Sequence, residues 1–349
     1  MNIKKLKIGY VPYSLDLTHP GDRRRFPYFA KKNNIPFEIA DSNSRYDIVL
    51  LNVQNNLSKW LIYKSKHPGT KFIFEMTDSV IYSSDLFRTL FKGIGRFLLR
   101  RESQLFINYK SPVKRWLKIA DVVLCSSNNV KRSIQHFNSN IVVSIDYLQS
   151  EYKFSKNDYQ IEGKMKLVWE GLGDVLLHLL KFKEVFRQVN SFCELHIITS
   201  EKYAAYGNVL KKNVSGILAQ LPIKTVFHKW EMNTKDIILS ECDLGIIPLN
   251  NKNLFAWHKP ANKLISFWFT GLPTVVSDTP AYTELMNSAV TNLYCSDTND
   301  WVNKIHLVKN MKSQERENLA KSNLNFVKDN YSDQSLDSVW MQTIEKLLK

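Results

Sequence analysis

Short apolar, β-branched runs recur along the whole chain, separated by longer stretches with helical spacing. Near-continuous apolar runs of this length are typical of strands buried on both faces. In the first half, the pattern predicts strands at 7–14, 37–41, 47–52, 71–78, 121–127 and 141–146, and helices over 22–33, 56–66, 86–101 and 128–137. This alternation of strand and helix predicts a parallel, doubly wound sheet.

The alternation starts again after a polar segment without periodicity, residues 148–163, which we interpret as a linker. Strands are then predicted at 166–171, 194–200, 223–230, 243–249, 274–278 and 292–297, with a helix in each of the five intervals between them. Helices over 298–311, 313–329 and 334–348 end the chain. We therefore predict an α/β protein of two domains, 1–155 and 156–329, with the helix of 330–349 packing on the first.

Composition narrows the class of protein. A chain of 349 residues is too long for one ordinary core, and 44% hydrophobic with 23% charged residues is typical of a folded globular protein. Four scattered cysteines without paired spacing indicate a reducing compartment. With no secretory signal and no apolar run of about 18 residues, we expect a cytoplasmic location.

The charge is uneven along the chain. The net charge is +15, and residues 1–160 hold 26 Lys and Arg against 13 Asp and Glu. A basic field of this kind attracts nucleic acid, anionic lipid or phosphorylated substrates. No nucleic-acid-binding motif is present, so we expect no nucleic-acid partner.

One segment of the second half carries most of the chemical information: HKPANKLISFWFTGLPTVVSDTPAYTELM, residues 258–286. Pro260 suits the first turn of a helix, because its missing N–H needs no partner there. Gly271 suits the position just after that helix ends. The helix N-terminus, with Lys259 and Lys263 beside it, is an expected seat for phosphate. An ordinary turn between helix and strand is the alternative interpretation.

The runs HKPANKL, TGLPTVVSD and PAYTEL resemble the donor-binding half of the GT-B glycosyltransferases, specifically the family-four-like, retaining group. The likeness is clear over 165–290 and extends by strand order over the whole chain. It implies the GT-B architecture, in which two doubly wound Rossmann-like domains face a cleft and the C-terminal helices cross back to the N-terminal domain. Acceptor binding is then expected in 1–155 and nucleotide-sugar binding in 156–329.

The resemblance places the donor-binding residues in the second domain. Family members commonly carry two glutamates in this segment, and His258 and Ser266 stand at those positions here. They also carry an Arg and a Lys after the first strand of the domain, where this chain reads WEGLGDVLLHLL. Leaving-group stabilisation is then expected from Lys259, Lys263, the backbone after that strand or the basic first domain. The expected donor-binding residues are Gly171, Gly173, Trp230, Lys259, Pro260, Ala261, Asn262, Lys263, Ser266 and Glu284.

Polar residues also follow predicted strands of the first domain, at the edge where the carboxyl ends of parallel strands meet. Asp78 and Glu75 are candidates to orient or deprotonate an acceptor hydroxyl, and His258 is a third catalytic candidate; a cap or a structural carboxylate is the alternative. The run GDRRR at 21–25 offers phosphate or acceptor binding through Gly21, Asp22, Arg23 and Arg24. No DxD, HxxxH or Cys/His pattern indicates a metal site, and we expect no cofactor.

Residues 86–118 contain nine Lys and Arg and one acidic residue, with apolar residues at helical spacing. This composition is typical of a helix that rests on an anionic membrane. The expected membrane-surface residues are Arg88, Lys92, Arg96, Arg100 and Arg101. A helix that covers the sheet and keeps its charges in water is the alternative.

Taken with the resemblance, these features predict a metal-independent hexosyltransferase. It would move a sugar from a nucleotide-sugar donor to a lipid-linked glycan acceptor, in bacterial surface polysaccharide synthesis (lipopolysaccharide or capsule), on the inner face of the cytoplasmic membrane. Two alternatives remain open at this stage: a non-catalytic nucleotide- or sugar-binding subunit of a polysaccharide assembly, and a nucleotide-sugar epimerase or a phosphorylase on the same fold.

Overall fold

The computed structural model describes residues 3–77, 80–82, 93–173, 175–205, 210–250 and 253–348. The chain divides into two compact units. Unit 1 comprises Met1–Tyr147, Trp257–Pro260 and Asp333–Lys349, and unit 2 comprises Leu148–Ala256 and Ala261–Ser332. Three predicted site residues, Asp78, Arg88 and Lys92, lie outside the described residues.

Unit 1 contains a six-stranded sheet in the order β2-β1-β3-β4-β5-β6, and all of its neighbouring strands are parallel. This confirms the predicted parallel sheet. The strand order reverses between β1 and β3, and ligands of such sheets bind at that kind of switch point. The strands are β1 (Ile8–Tyr10), β2 (Glu38–Ile39), β3 (Ile48–Asn52), β4 (Lys71–Met76), β5 (Val122–Cys125) and β6 (Ile141–Val143).

Helices cover this sheet, and the last helix of the chain is one of them. Trp340 is almost fully buried, and its ring lies 5.6 Å from that of Phe26 and 5.7 Å from that of Phe29. The C-terminal helix therefore belongs to the core of unit 1. The helices of unit 1 are α1 (Pro20–Arg23), α2 (Phe26–Lys32), α3 (Leu57–Lys66), α4 (Lys110–Ile119), α5 (Asn128–Ile134) and α14 (Asp333–Leu347).

Unit 2 contains a second six-stranded parallel sheet, in the order β11-β8-β7-β12-β13-β14. Its switch point lies between β7 and β12, because the strand order runs away from β7 on both sides. The strands are β7 (Met165–Glu170), β8 (Cys193–Thr199), β11 (Thr225–Lys229), β12 (Leu244–Ile247), β13 (Thr274–Ser277) and β14 (Tyr294–Cys295). All six were predicted from the apolar runs.

Of the helices in unit 2, the one that begins within the HKPANKL run ends before Gly271 as predicted, but Pro260 precedes it instead of lying in its first turn. Its first residue, Asn262, comes two positions after Pro260, and Gly271 has a φ of 70°, a conformation that glycine adopts without strain. The helices of unit 2 are α6 (Lys183–Val189), α7 (Ser215–Leu218), α8 (Lys235–Glu241), α9 (Leu254–Trp257), α10 (Asn262–Phe269), α11 (Pro280–Ser288), α12 (Thr298–Asn310) and α13 (Ser313–Tyr331). The last residue of α9, Trp257, is grouped with unit 1.

The segment 148–163 is a packed part of unit 2, which corrects its interpretation as a linker. The backbone N–H of Lys156 donates to the carbonyl of Thr270, and the buried hydroxyl of Tyr159 donates to the carbonyl of Gly271. Irregular backbone can be buried when its polar groups find such partners. The units accordingly divide at Tyr147 rather than near residue 155.

Two further helix predictions need correction. Between β8 and β11 a helix was expected, and the structure has α7 there, but an antiparallel pair that was not predicted, β9 (Lys202–Ala205) with β10 (Leu210–Asn213), precedes it. The sequence carries Gly-Asn at 207–208, a dipeptide typical of tight hairpin turns. The stretch before α6 forms a 3-10 helix, Leu176–Phe182, rather than an α-helix. Within the described ranges, no helix combines the length and apolar composition needed to cross a bilayer.

Candidate functional site

A carboxylate bridges two site residues at the carboxyl end of β7. Glu170, the last residue of that strand, accepts a hydrogen bond from the indole Nε1 of Trp230 at 2.9 Å. Its other oxygen accepts one from the Nζ of Lys263 at 3.0 Å. The structure thus brings together two predicted donor-binding residues, Trp230 and Lys263, through a residue that the sequence analysis did not single out.

Local structure explains why these three side chains meet. Trp230 follows β11, and its backbone N–H donates to the carbonyl of Thr199 at the end of β8. Lys263 is the second residue of α10, so it belongs to the helix N-terminus. Because β7 is next to the switch point of its sheet, Glu170, at its carboxyl end, lies where ligands of doubly wound sheets bind.

A second cation lies beside this group. Lys235 is fully buried, and its Nζ lies 3.1 Å from a carboxylate oxygen of Glu151. The same Nζ stands 4.3 Å from the ring centre of Tyr152 and 5.9 Å from that of Trp230. Trp230 therefore has a carboxylate at its indole N–H and an ammonium group near its ring, an arrangement that holds the ring in one orientation.

The charge of Glu170 is set by its partners. Burial by itself raises the pKa of a carboxyl group, but the ammonium of Lys263 and the hydrogen bonds from Trp230 and Lys263 outweigh it, so the pKa of Glu170 lies below its ordinary value. Glu170 is therefore ionised at neutral pH. In the absence of ligand, the negative charge of Glu170 neutralises Lys263, one of the two lysines that were expected to meet phosphate.

The other predicted donor residues take different positions. Asn262 is half-buried at the start of α10, and its side-chain oxygen is buried without a hydrogen-bond partner among the described residues. Ala261 is buried, and so is Ser266, at 4% exposure. Ser266 thus has almost no exposed surface for the donor contact expected of it. Glu284 is half-buried on α11.

The two glycines after β7 are part of a tight connection. The N–H of Gly171 donates to the carbonyl of Ile198, which holds the loop against β8. Gly173 is buried, and a Cβ built on it would lie 2.9 Å from the hydroxyl of Ser200. This part of the loop is fixed against the end of β8. The Arg and Lys that family members carry after the strand corresponding to β7 are absent from this sequence.

In unit 1, the run GDRRR forms the start of the helical region after β1. Asp22 is fully buried, and its carboxylate accepts hydrogen bonds from the hydroxyl of Tyr10 and from the N–H groups of Tyr13 and Ser14. Asp22 therefore organises the loop after β1 rather than binding a ligand. Gly21, Arg23 and Arg24 are half-buried in and after α1.

Arg25 and Glu75 are buried together, which corrects the prediction that Glu75 meets an acceptor hydroxyl. The Nε of Arg25 donates to a carboxylate oxygen of Glu75 at 3.0 Å, and its NH1 donates to Asp146 at 2.8 Å. Both Arg25 and Glu75 are about 1% exposed. Arg25 therefore has no accessible surface for a phosphate, and Glu75 has none for an acceptor hydroxyl. Both residues hold the sheet of unit 1 together.

His258 stacks on an aromatic ring of unit 1. Its imidazole lies 4.2 Å from the ring centre of Tyr82, with only 5° between the two planes, and it is buried. The segment Trp257–Pro260, which includes Lys259, is grouped with unit 1, whereas the chain from Ala261 onward is grouped with unit 2. The HKPANKL run is therefore divided between the two units.

Unit 2 also has a cavity of about 350 Å³ at the carboxyl ends of β12, β13 and β14. Polar residues and one tryptophan line part of it: Asn250, Ser277, Ser296, Asp297, Thr298 and Trp301. Glu170, Trp230 and Lys263 are not among its lining residues. Among the described residues, no three His, Cys, Asp or Glu side chains are grouped in a way that would hold a metal ion.

Comparison with known proteins shows the fold. No family model matches the chain, and no curated protein matches its sequence. Among solved structures, HepE of Anabaena in complex with UDP and glucose superimposes with a TM-score of 0.65 at 12% identity, over 97% of this chain and 99% of that one. A glycosyltransferase of Rickettsia africae gives 0.63 at 12% identity, over 98% of both chains.

A third structure, a sucrose-phosphate synthase of Thermosynechococcus elongatus, gives a TM-score of 0.63 at 11% identity, over 87% of this chain and 74% of that one. Two units that each carry a six-stranded parallel sheet, with the last helix packed on the first unit, match the architecture of these structures. The chain has the GT-B fold, as its sequence motifs predicted.

The sequence analysis missed three residues of the cluster in unit 2: Glu170, Lys235 and Glu151. One signal was available, because Glu170 is a charged residue between the apolar run LVW and a glycine. Charged side chains are rarely buried without a partner. Lys235 and Glu151 carry no such signal, since their neighbourhood is polar in sequence.

Proposed function

We propose that the protein is a glycosyltransferase whose unit 2 binds a nucleotide-sugar donor at the Glu170–Trp230–Lys263 cluster. The observation that carries this proposal is the position of the cluster. Two cations, an indole ring and the unpartnered side-chain oxygen of Asn262 belong to the region where β7 ends and α10 begins, in a GT-B fold. The HKPANKL motif contributes two of these residues.

The chemistry of a nucleotide diphosphate suits these groups. Lys263, at the N-terminus of α10, supplies positive charge for a diphosphate leaving group, together with the helix dipole. The ring of Trp230 offers a stacking surface for a nucleobase. On donor binding, the phosphate takes over Lys263 from Glu170. HepE of Anabaena was solved with UDP-glucose, so UDP-sugars are the first donors to test.

The finer proposal follows the sequence resemblance. The enzyme would transfer a hexosyl group with retention of configuration and without a metal ion, since fixed cations would carry the leaving-group charge. Its acceptor would be a lipid-linked glycan of bacterial surface polysaccharide synthesis, reached at the inner face of the cytoplasmic membrane. The strongly basic first half of the chain supports a partner with negative charge.

A non-catalytic nucleotide- or sugar-binding subunit is the second candidate. This candidate is favoured because the two glutamates that family members commonly carry are missing here. His258 and Ser266 stand at those positions, and both are buried. Such a subunit would bind the donor without releasing nucleotide. Binding and turnover therefore have to be measured separately.

The test is a thermal-shift and turnover screen with UDP-, GDP-, dTDP-, ADP- and CMP-sugars. We expect one nucleotide to raise Tm, and Lys263→Ala to abolish that shift. Lys224→Ala is a matched control, because Lys224 is an exposed lysine of unit 2 that also pairs with a glutamate, Glu194. Release of free nucleotide would support the enzyme, and binding without release would support the subunit. If no nucleotide raises Tm, the proposed donor site is wrong.

A further inference from the structure

A loop of unit 1 exposes an unusual number of large apolar side chains. Within residues 94–107, here called the apolar loop, six such side chains are exposed: Ile94, Phe97, Leu98, Leu99, Leu105 and Ile107. Leu98 is 73% exposed, Leu99 67% and Ile107 65%. Single exposed apolar residues are common, but a group of them within one short segment marks a surface that binds something.

The base of the loop is held rigidly by a buried ion pair. The carboxylate of Glu102 accepts hydrogen bonds from the N–H of Ser58 at 2.9 Å and from its hydroxyl at 2.7 Å, at the start of α3. Arg96 donates to Glu102 at 3.2 Å and to the carbonyl of Asn55 at 2.6 Å. Arg96 is buried, which corrects the expectation that it faces a membrane.

The two apolar parts of the loop come close to each other at Gly93 and Phe106. Residues 93–98 are helical, and Arg100 then turns the chain with a φ of 54°. The returning segment passes close to the start of the helical stretch, because the carbonyl oxygen of Phe106 occupies the place where a side chain at Gly93 would be. Leu98 and Leu99 thus stand beside the turn, and Leu105 and Ile107 lie on the returning segment.

The exposed charges of this region are all positive. Glu102 is the only acidic residue between 93 and 118, and it is buried against Arg96. Arg100 and Arg101 are exposed at the turn, directly after the two leucines. Lys114, Arg115 and Lys118 are exposed on α4, which begins shortly after the loop. A partner for this region therefore needs an apolar interior and a negatively charged surface.

We propose that the apolar loop docks unit 1 on an anionic lipid bilayer. Leu98, Leu99 and Ile107 enter the boundary between headgroups and acyl chains, and Arg100 and Arg101 bind the lipid phosphates. A bilayer offers both required properties in one surface. The docking rests on the proposed function in placing the acceptor at a membrane, and it would bring unit 1 to that lipid-linked acceptor. It needs neither donor nor turnover, so it is tested separately from the transferase activity.

The experiment measures vesicle binding of the full chain without nucleotide. The probes are vesicles of phosphatidylcholine alone and of phosphatidylcholine with 30% phosphatidylglycerol, at low and high salt. We expect binding to the anionic vesicles only, weakened by salt because the charges are screened. Leu98→Ser with Leu99→Ser should lower the partition coefficient at least about tenfold. Leu307→Ser is the matched control, since Leu307 is an exposed leucine on α12.

A second pair of variants separates charge from apolar contact. Arg100→Gln with Arg101→Gln should weaken binding about tenfold or more and reduce its dependence on salt. Lys5→Gln with Lys31→Gln removes the same net charge from other exposed positions of unit 1 and should have a much smaller effect. Circular dichroism and the Tm of unfolding, measured without nucleotide, show whether each variant is folded, independently of lipid.

Three results would overturn the proposal. One is the absence of binding to anionic vesicles by the folded wild type. Another is binding that neither pair of loop variants weakens, which would assign the membrane contact to a different surface. The third is a loop-dependent oligomer, seen by light scattering, that does not bind vesicles, since the occupant of the patch would then be a second copy of the chain. None of these results bears on nucleotide binding, so the transferase proposal is judged separately.

Discussion

The carboxylate of Glu170 and the ammonium of Lys263 lie 3.0 Å apart, although 93 residues separate them along the chain. One ends a central strand and the other opens a helix, so the pair joins the two elements that meet at the switch point of unit 2. Lys263, the second lysine of the HKPANKL motif, is therefore already neutralised before any ligand binds. Anion binding by this lysine requires an exchange of partners.

The first prediction concerns stability and pH. Lys263→Met leaves Glu170 without its ammonium partner, so we expect a loss of about 2 kcal/mol in the free energy of unfolding at pH 7. Because the pKa of Glu170 is lowered in the folded protein, its stabilising effect is present above its ordinary pKa of 4.5 and is lost as the pH falls through the lower, folded value. Urea titrations of both proteins between pH 3 and 7 should therefore converge at acidic pH. A difference that stays constant with pH would contradict this origin.

The second prediction concerns affinity. Glu170→Gln keeps an acceptor for Trp230 but removes the charge that neutralises Lys263. If a diphosphate binds this lysine, UDP should bind at least about threefold more tightly to the variant, because the competing carboxylate is gone. Calorimetric titration with UDP and with uridine distinguishes the cause, since uridine should not gain. Glu201→Gln, an exposed carboxylate of the same unit, is the control. Weaker UDP binding by the variant would assign Glu170 a direct contact with the nucleotide.

The third prediction concerns the buried ion pair of unit 1. Arg25→Met leaves the buried carboxylate of Glu75 without its partner, and burial raises the pKa of Glu75 even with Arg25 present. We expect the substitution to lower the free energy of unfolding by about 3–5 kcal/mol. Adding Glu75→Leu should recover part of this loss, because the uncompensated charge is removed. Lys31→Met, at an exposed position nearby in sequence, should have little effect. Denaturant unfolding followed by tryptophan fluorescence measures all four proteins.

The fourth prediction concerns the last helix. Trp340→Ala removes a buried ring that packs between Phe26 and Phe29, and we expect it to cost about 3–5 kcal/mol in the stability of unit 1. Gln342→Ala, at an exposed position on the same helix, should leave stability nearly unchanged. Hydrogen exchange localises the effect, because amides of β1, β3 and β4 should lose protection while those of β12 and β13 keep it. Equal loss of protection in both units would contradict the placement of this helix.

Much of the fold followed from local patterns. The strand TVVSD and the helix before it were predicted from an apolar run, from Pro260 and from Gly271, and the structure has them as β13 and α10. Such signals act over a few residues, through side-chain burial and backbone φ, so the sequence displays them directly. The antiparallel pair of β9 and β10 shows the limit of this approach, because each strand has only 4 residues and neither forms an apolar run.

The candidate site could be predicted from the sequence only in part. The HKPANKL motif located Lys263, and the resemblance to the GT-B glycosyltransferases located Trp230, but Glu170, which joins them, was not predicted. Arg96 was expected to meet an anionic surface, and the structure buries it against Glu102. A sequence shows that a basic residue is present, but its partner is decided by long-range packing.

By itself, the sequence determined the two α/β halves, the parallel sheets and the motif that resembles a donor site. These properties depend on hydrophobic periodicity and on proline and glycine at helix ends, which are local. The tertiary structure alone decided which charges are neutralised inside the protein and which remain at the surface. Glu170 and Lys263 show why: an ion pair depends on the distance between two atoms, and only the folded chain sets that distance.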